Sequence, residues 1–385
     1  MERRNRGPSE SPIHEWILTL CAAILGVLCV QSVSVARAAD ALTVVVAGPM
    51  IGTSFSVGVQ YRVGVTAAIN QTLPEGLLLG RKVEIIAHDD SCDGGIAESV
   101  AQNIVQTPPA VVIGHSCSGA TLAAAPVYAR HKVLQITPAS THPQVTEMGI
   151  KTLFRMIGRD DIQGQVAAER LATLHAGQKI GVLHFPGSYS KRLAETTIEA
   201  LQLRGIKLTR VIETLPASVS YATEIQALID AGVEALYLVG GALDSAVFMR
   251  QAHQMNARFQ VISSDTLISR VFVETAGDAA ENIPFTFSPE AAELPTSAPA
   301  IAAIRALGRE PDGYTLLAYA ATQTWIEGVK RADSFNAEQV AAAIRRGPLE
   351  TILGPISFDD KGDIRTSYPP FSWYAWKGGQ LVPLE

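Results

Sequence analysis

From residue 42 onward one theme recurs along the chain: a short apolar run rich in β-branched residues, a turn, then a stretch with helical periodicity. Residues 42–46 are nearly continuously apolar, as a strand covered on both faces of a parallel sheet must be. A helix is predicted over 58–69, a strand over 83–87 and a helix over 95–105. A strand at 110–113, a helix at 120–130 and a strand at 133–136 complete the first unit. The theme restarts with helices predicted at 166–174, 194–203, 221–229 and 246–254, and strands at 180–183, 208–212, 235–239 and 260–263. Strands that alternate with helices close as parallel sheets with helical cover on both faces.

The last section is less regular. Residues 286–293 read as a turn, followed by 295–308, by long helices at 314–332 and 337–346, and by β-like segments at 356–358 and 371–376 ahead of Gly378-Gly379. There is no low-complexity linker. At this length two cores are expected rather than one. The fold class predicted is α/β: two doubly wound parallel-sheet lobes, with several crossovers between them.

The N-terminus carries Arg3, Arg4 and Arg6, then an apolar run of 15 residues over 16–30, then Val35-Ala36-Arg37-Ala38-Ala39-Asp40. This is the layout of a secretory signal peptide (residues 1–38) cut after Ala38. The run is shorter than the ~20 residues a retained spanning helix needs. Cys21 and Cys29 each follow Leu, where a lipid-attachment site wants a small residue. Removing 1–38 takes four of the 31 basic and three of the 37 acidic residues, leaving 347 residues with a net charge of −7. A mildly acidic chain without a basic cluster is a poor candidate for nucleic acid or anionic membranes.

After cleavage two cysteines remain, Cys92 and Cys117, in a chain bound for an oxidising compartment. One disulfide is the natural reading, closing a loop of about 25 residues and contributing about 3 kcal/mol. Two buried free thiols are the alternative. Metal ligation ranks below both, because no CxxC, HxxxH or HExxH spacing occurs. No metal and no cofactor is expected.

The most informative segment is Gly114-His115-Ser116-Cys117-Ser118-Gly119, between a predicted strand and helix. Ligands bind at this carboxyl edge in wound α/β sheets. Ser118 at the helix start offers a hydroxyl and free N–H groups to an anion such as a carboxylate, or it merely caps the helix. Thr137-Pro138-Ala139-Ser140-Thr141-His142-Pro143 follows the next strand, so its loop should lie beside Ser118. Thr141 brings a hydroxyl and Ala139 a carbonyl, a set that suits a zwitterion. An ordinary Pro-containing turn is the bland reading. Gly114–Ser118 also approaches the G-x-S-x-G nucleophile elbow with Ser116 as nucleophile, but Ser118 stands where the last glycine belongs. A serine hydrolase is therefore the remote alternative. In the second unit Tyr189 and Asp265 both follow strands, so an acid there could pair with a ligand ammonium or simply be solvated.

These segments, with Val45-Val46-Ala47-Gly48-Pro49-Met50, Asp89-Asp90-Ser91-Cys92-Asp93 and the closing stretch Gly354-Pro355-Ile356-Ser357-Phe358-Asp359-Asp360-Lys361-Gly362-Asp363, resemble the periplasmic leucine/isoleucine/valine-binding proteins of ABC transporters, of the type I binding-protein fold. The cysteine spacing resembles that family's disulfide. The resemblance implies hinge closure of two lobes (39–159 plus 288–359, and 160–287 plus 360–385) through crossings near 158–160, 286–288 and 358–360. It implies a non-enzymatic, monomeric periplasmic protein that hands a small ligand, an L-amino acid first of all, to membrane permease subunits. Ser118 and Thr141 would take the carboxylate, with Ser140 in the same loop. Ala139 and Thr141 would help hold the ammonium, Asp265 would pair with it, and Tyr189 would close over the ligand. Ala242 departs from the family, which carries an aromatic after the Gly-Gly, and leaves room for a bulkier or different ligand. Binders of aromatic or aliphatic carboxylates or amides share the fold and are the alternative.

Overall fold

The computed structural model describes residues 41–214 and 220–384. The predicted signal peptide lies outside them. β-Branched, apolar segments form two large sheets. The first holds β1 (Leu42–Gly48), β2 (Leu77–Leu78), β3 (Arg81–Asp89), β4 (Val111–Ile113), β5 (Gln135–Thr137) and β6 (Leu153–Arg155), in the order β2-β3-β1-β4-β5-β6. β1, β4, β5 and β6 run parallel, with Val44 opposite Val111, Ile113 opposite Ile136 and Thr137 opposite Arg155. Helices α1 (Phe55–Thr72), α2 (Gly94–Ile104) and α3 (Ser118–Arg130) and the short α4 (Gln144–Glu147) connect them.

The second sheet contains β7 (Ile180–His184), β8 (Arg210–Glu213), β9 (Ala235–Val239), β10 (Gln260–Ser263) and β11 (Phe285–Phe287). Intervening helices are α5 (Asp160–Leu174), α6 (Ser188–Leu203), α7 (Ala222–Asp230), α8 (Ala242–Gln254) and α9 (Arg270–Ala276). The chain then forms α10 (Ala298–Ala306), α11 (Thr315–Ala332) and α12 (Ala337–Arg345) and a small sheet of β12 (Leu349–Thr351), β13 (Gly354–Phe358) and β14 (Ile364–Arg365). It ends as β15 (Ser372–Lys377) and β16 (Gln380–Leu384), an antiparallel hairpin on β11, giving the order β16-β15-β11-β10-β9-β7-β8.

Two departures from the predicted elements are informative. Residues 286–293, read as a turn, open with the buried strand β11, and β6 lacked any sequence signal; both are three residues long, too short to show a period. Helices α5, α6 and α8 start four to six residues before the predicted 166, 194 and 246. Their first turns hold polar or small residues that do not follow the apolar pattern.

The cores are alanine-rich, which lets helices lie close to the sheets. Val45, Ala47 and Val112 pack with Ala97, Ala101, Ala120, Ala124 and Tyr128 on the first sheet. Val182, Tyr237, Val239 and Ile262 pack with Ala167, Leu171 and Leu193 on the second. α1 and α11 approach at Gly64, where a Cβ would stand 2.3 Å from the Thr315 carbonyl oxygen. Three chain segments meet beside β6. Gly158 and Arg159, Ser288, and Asp363–Thr366 line one recess of ≈ 340 Å³. There the fully buried Arg155 donates from Nε to Asp363 at 2.7 Å, joining β6 to the chain after β13.

Candidate ligand-binding site

Helices that follow parallel strands start at the carboxyl edge of their sheet, and four of them start around one cavity. α1 contributes Ser56 and Val57, α3 Ser118 and Gly119, α6 Ser188, Tyr189 and Ser190, and α8 Ala242, Leu243 and Asp244. The cavity holds ≈ 630 Å³, within the range of about 300–1,000 Å³ typical of small-molecule sites. Helix starts leave backbone N–H groups without intrahelical partners, so the opening turn of α3 around Ser118 can take an anion. The two sheets' elements come together at Gly119, where a Cβ would lie 2.9 Å from the Ser188 Oγ.

The cysteines at the rim are bonded: Cys92 and Cys117 form a disulfide with their Cα atoms 5.4 Å apart. It ties the loop before α2 to the start of α3, and both residues line the cavity. Ser118, at the first turn of α3, is 2 % exposed and accepts the His142 N–H at 3.3 Å, which leaves its own proton to donate.

The same lining includes a buried carboxylate. Asp265 is 1 % exposed, and all its protein donors are neutral. Tyr189 donates to Oδ1 at 2.6 Å, Gln163 to Oδ1 at 2.9 Å and Tyr314 to Oδ2 at 2.7 Å. Burial first, and then the charge of Asp265, pushes both phenols well above their ordinary range, so they remain protonated donors. Among the described residues no Lys, Arg or His pairs with Asp265. A buried carboxylate without a cation is costly unless something supplies one.

Of the residues predicted from sequence, Ser118, Ala139, Tyr189, Ala242 and Asp265 line this one cavity, together with Cys92 and Cys117. Ser140 and Thr141 do not. The Ser140 hydroxyl turns to the neighbouring 114–117 loop and α3, 2.6 Å from Thr121 Oγ1 and 3.1 Å from the carbonyl oxygens of His115 and Ser116. The Thr141 hydroxyl is buried without a hydrogen-bond partner and faces Asp160, whose N–H donates to the Thr141 carbonyl at 3.0 Å. Asp160 itself is fully buried, neither carboxylate oxygen has a partner, and burial lifts its pKa to about 8.

Asp160, Gln163 and Tyr314 were not anticipated. Tyr314 begins α11 far along the chain, and Gln60, whose Oε1 accepts the Tyr314 N–H at 3.0 Å, holds that turn in place. No spacing in the sequence links these residues to Asp265. The one available signal was the presence of Asp and Gln in a helix start, at 160 and 163, that turned out to be buried.

The nucleophile-elbow alternative finds no support in the geometry. His115, next to Ser116, has both ring nitrogens engaged, Nδ1 with Asp90 at 2.6 Å and Nε2 with the Tyr128 hydroxyl at 3.0 Å. The Ser116 hydroxyl lies 3.7 Å from the disulfide sulfur of Cys117.

A family model described as periplasmic binding protein matches residues 41–374. The chain belongs to the periplasmic binding proteins. Curated relatives of this binding protein include a Leu/Ile/Val-binding protein homolog 1 of Brucella abortus (strain 2308), 35 % identical over 332 residues, 86 % of this chain and 89 % of the relative. A leucine-, isoleucine-, valine-, threonine-, and alanine-binding protein of Pseudomonas aeruginosa is 32 % identical over 345 residues, 89 % and 92 % of the two chains. Among solved structures, a leucine-binding protein of Thermotoga maritima superposes with a TM-score of 0.80 at 24 % identity, covering 89 % of this chain and 98 % of its own. A solute-binding protein of R. palustris in complex with benzoate gives 0.80 at 18 %, covering 89 % and 95 %. At these identities the structural matches establish the type I binding-protein fold, with its parallel-rich sheets, for this binding protein. Among its described residues no helix is long and apolar enough to cross a membrane.

Proposed function

We propose that this periplasmic binding protein captures an L-amino acid and presents it to the permease subunits of an ABC importer. The observation that carries the ligand class is Asp265, a buried carboxylate with three neutral donors and, among the described residues, no protein cation, in a cavity also lined by the helix start at Ser118. A zwitterion satisfies both ends at once. The ammonium sits on Asp265 with the Ala139 carbonyl beside it, and the carboxylate on Ser118 and the N–H groups opening α3. Tyr189 covers the ligand from the second sheet. The names of the curated relatives agree with an amino acid.

In this reading the lobes are 39–159 plus 288–359 and 160–287 plus 360–385. The ligand favours the closed form by touching both, and the protein is an exported monomer released by cleavage after Ala38. Closure shifts the population by the ligand's differential affinity for the closed state. No catalytic step is part of it.

The test is a thermal-shift screen on protein unfolded and refolded to remove carried-over ligand. At about 100-fold excess over its dissociation constant a true ligand adds about 2.7 kcal/mol of stability. Response to L-amino acids supports the proposal. Response confined to ammonium-free acids such as benzoate overturns the role given to Asp265.

A further inference from the structure

The side-chain end of the cavity is itself charged. Besides Asp265, its lining includes the carboxylates of Asp93 at the exposed rim and Asp244 in the first turn of α8, and it includes no Lys, Arg or His. Asp93 has a structural task, capping α2 through the Ile96 N–H at 2.9 Å. Asp244 caps nothing. It is half-buried and accepts the Tyr221 hydroxyl at 3.1 Å. Among the described residues it has no ion-pair partner. Phe185 stands edge-on to Tyr221 with ring centroids 5.3 Å apart. Phe185 is pressed against Gly240, where a Cβ would fall 2.1 Å from a ring carbon, so this wall is fixed by packing. Ala242, the first residue of α8, lines the same cavity with only a methyl group. A further buried polar atom in the lining, the Ser269 Oγ, has no partner.

From this arrangement we infer that Asp244 is a specificity residue selecting an amino acid whose side chain ends in a cation, that is, a diamino or guanidino acid. The inference rests on the amino-acid reading of Asp265. A neutral aliphatic side chain would close the cavity over Asp244 and leave that carboxylate desolvated and unpaired, which is unfavourable. A distal ammonium or guanidinium pairs with it, and a guanidinium adds further donors for neighbouring hydroxyls. An acidic side chain would meet a like charge. The N-terminal end of α8 opposes a cation, but more weakly than a charge-assisted contact favours it.

The test is calorimetric titration of the refolded protein with L-arginine, L-lysine, L-leucine and L-norleucine, the last matching lysine's chain without its terminal ammonium. Arginine or lysine is expected to bind at least ~10-fold more tightly than norleucine, a difference of about 1.4 kcal/mol. Asp244→Asn should erase that preference by weakening arginine and lysine binding ~10-fold or more. Asp265→Asn should weaken every ligand. If Asp244→Asn fails to fold, the parent's own preference decides, because a parent that binds norleucine as tightly as lysine and arginine overturns the assignment. A parent that prefers leucine or norleucine, with all binding lost in Asp265→Asn, overturns the Asp244 assignment and leaves the amino-acid reading intact. A parent that binds none of these overturns both.

Discussion

The Tyr189 hydroxyl donates to Asp265 Oδ1 at 2.6 Å, joining the first turn of α6 to the segment that follows β10. With Tyr314 on Oδ2 and Gln163 on Oδ1, the carboxylate is fixed by neutral groups drawn from three helices. It is oriented before any ligand arrives, and its charge is not cancelled. Asp265→Asn would set an amide N–H₂ against at least one of these donors and remove the charge. The expected outcome is at least ~30-fold weaker amino-acid binding, in line with the 2–5 kcal/mol that truncating one partner of a buried charge pair costs. Calorimetry on parent and variant checks it, and unchanged affinity would refute the ammonium role.

Asp160 predicts a pH effect. Burial raises its pKa from 3.8 to about 8, with the nearby Asp265 charge adding and Thr141 and Arg155 opposing. An acid whose folded pKa lies above its unfolded value contributes full stability below the unfolded pKa, and that contribution is lost as pH rises toward the folded pKa. Ligand-free protein should therefore lose stability between about pH 4 and about pH 8, by at most about 1.4 kcal/mol per pH unit for this group. Asp160→Asn should flatten the slope. Some slope should remain, because burial also lifts Glu290, to about 7. Melting curves across that range decide it, and parallel curves for parent and variant would reject it.

Arg155 is completely buried, and Asp363 is its counter-ion. Asp363→Ala would leave the guanidinium with the carbonyl oxygens of Ser140 and His142 and the Thr146 hydroxyl but no negative partner in direct contact. Breaking a buried pair from one side costs about 3–5 kcal/mol. Urea unfolding should show a loss of that order, and a loss below ~1 kcal/mol would mean the pair is not the fastening it looks to be.

Gly64 is where α1 meets α11. A methyl there would press on the Thr315 carbonyl at 2.3 Å and the Ala318 Cβ at 3.0 Å. Alanine is otherwise the better helix former, by about 1 kcal/mol. Gly64→Ala should nevertheless destabilise by about 1–3 kcal/mol, because a backbone oxygen cannot move aside as a side chain can. A stabilised variant, by thermal or denaturant melting, would show that the two helices tolerate separation.

Much of the architecture is legible along the chain. Residues 42–46, 180–183 and 235–239 are apolar runs long enough to announce buried strands, and the loops after the strands at 110–113 and 260–263 sit at ligand-facing sheet edges by the logic of the wound fold. That logic brought Ser118 and Asp265 forward without a structure, and Ala139, Tyr189 and Ala242 line the same cavity. Local periodicity also set its own limit. The starts of α5, α6 and α8 were read late because their first turns face the cavity or its buried polar shell rather than a core, and so carry Asp160, Gln163, Ser188, Tyr189, Ala242 and Asp244 where an apolar residue would have marked the helix.

By itself, then, the sequence determined the α/β class, the alternation of strands and helices, and the loops that could meet a ligand, since each follows from short-range pattern and backbone connectivity. Only the tertiary structure decided that Tyr314, from a helix start 49 residues beyond Asp265, completes its hydrogen bonding. It also decided that the Ser140 hydroxyl is taken up by carbonyl oxygens of the neighbouring 114–117 loop, and that Asp244 lines the cavity with no cation among the lining residues. The physical reason is that hydrogen-bond partnership and desolvation depend on which groups lie within about 3 Å in space, and no periodicity along the chain encodes that distance.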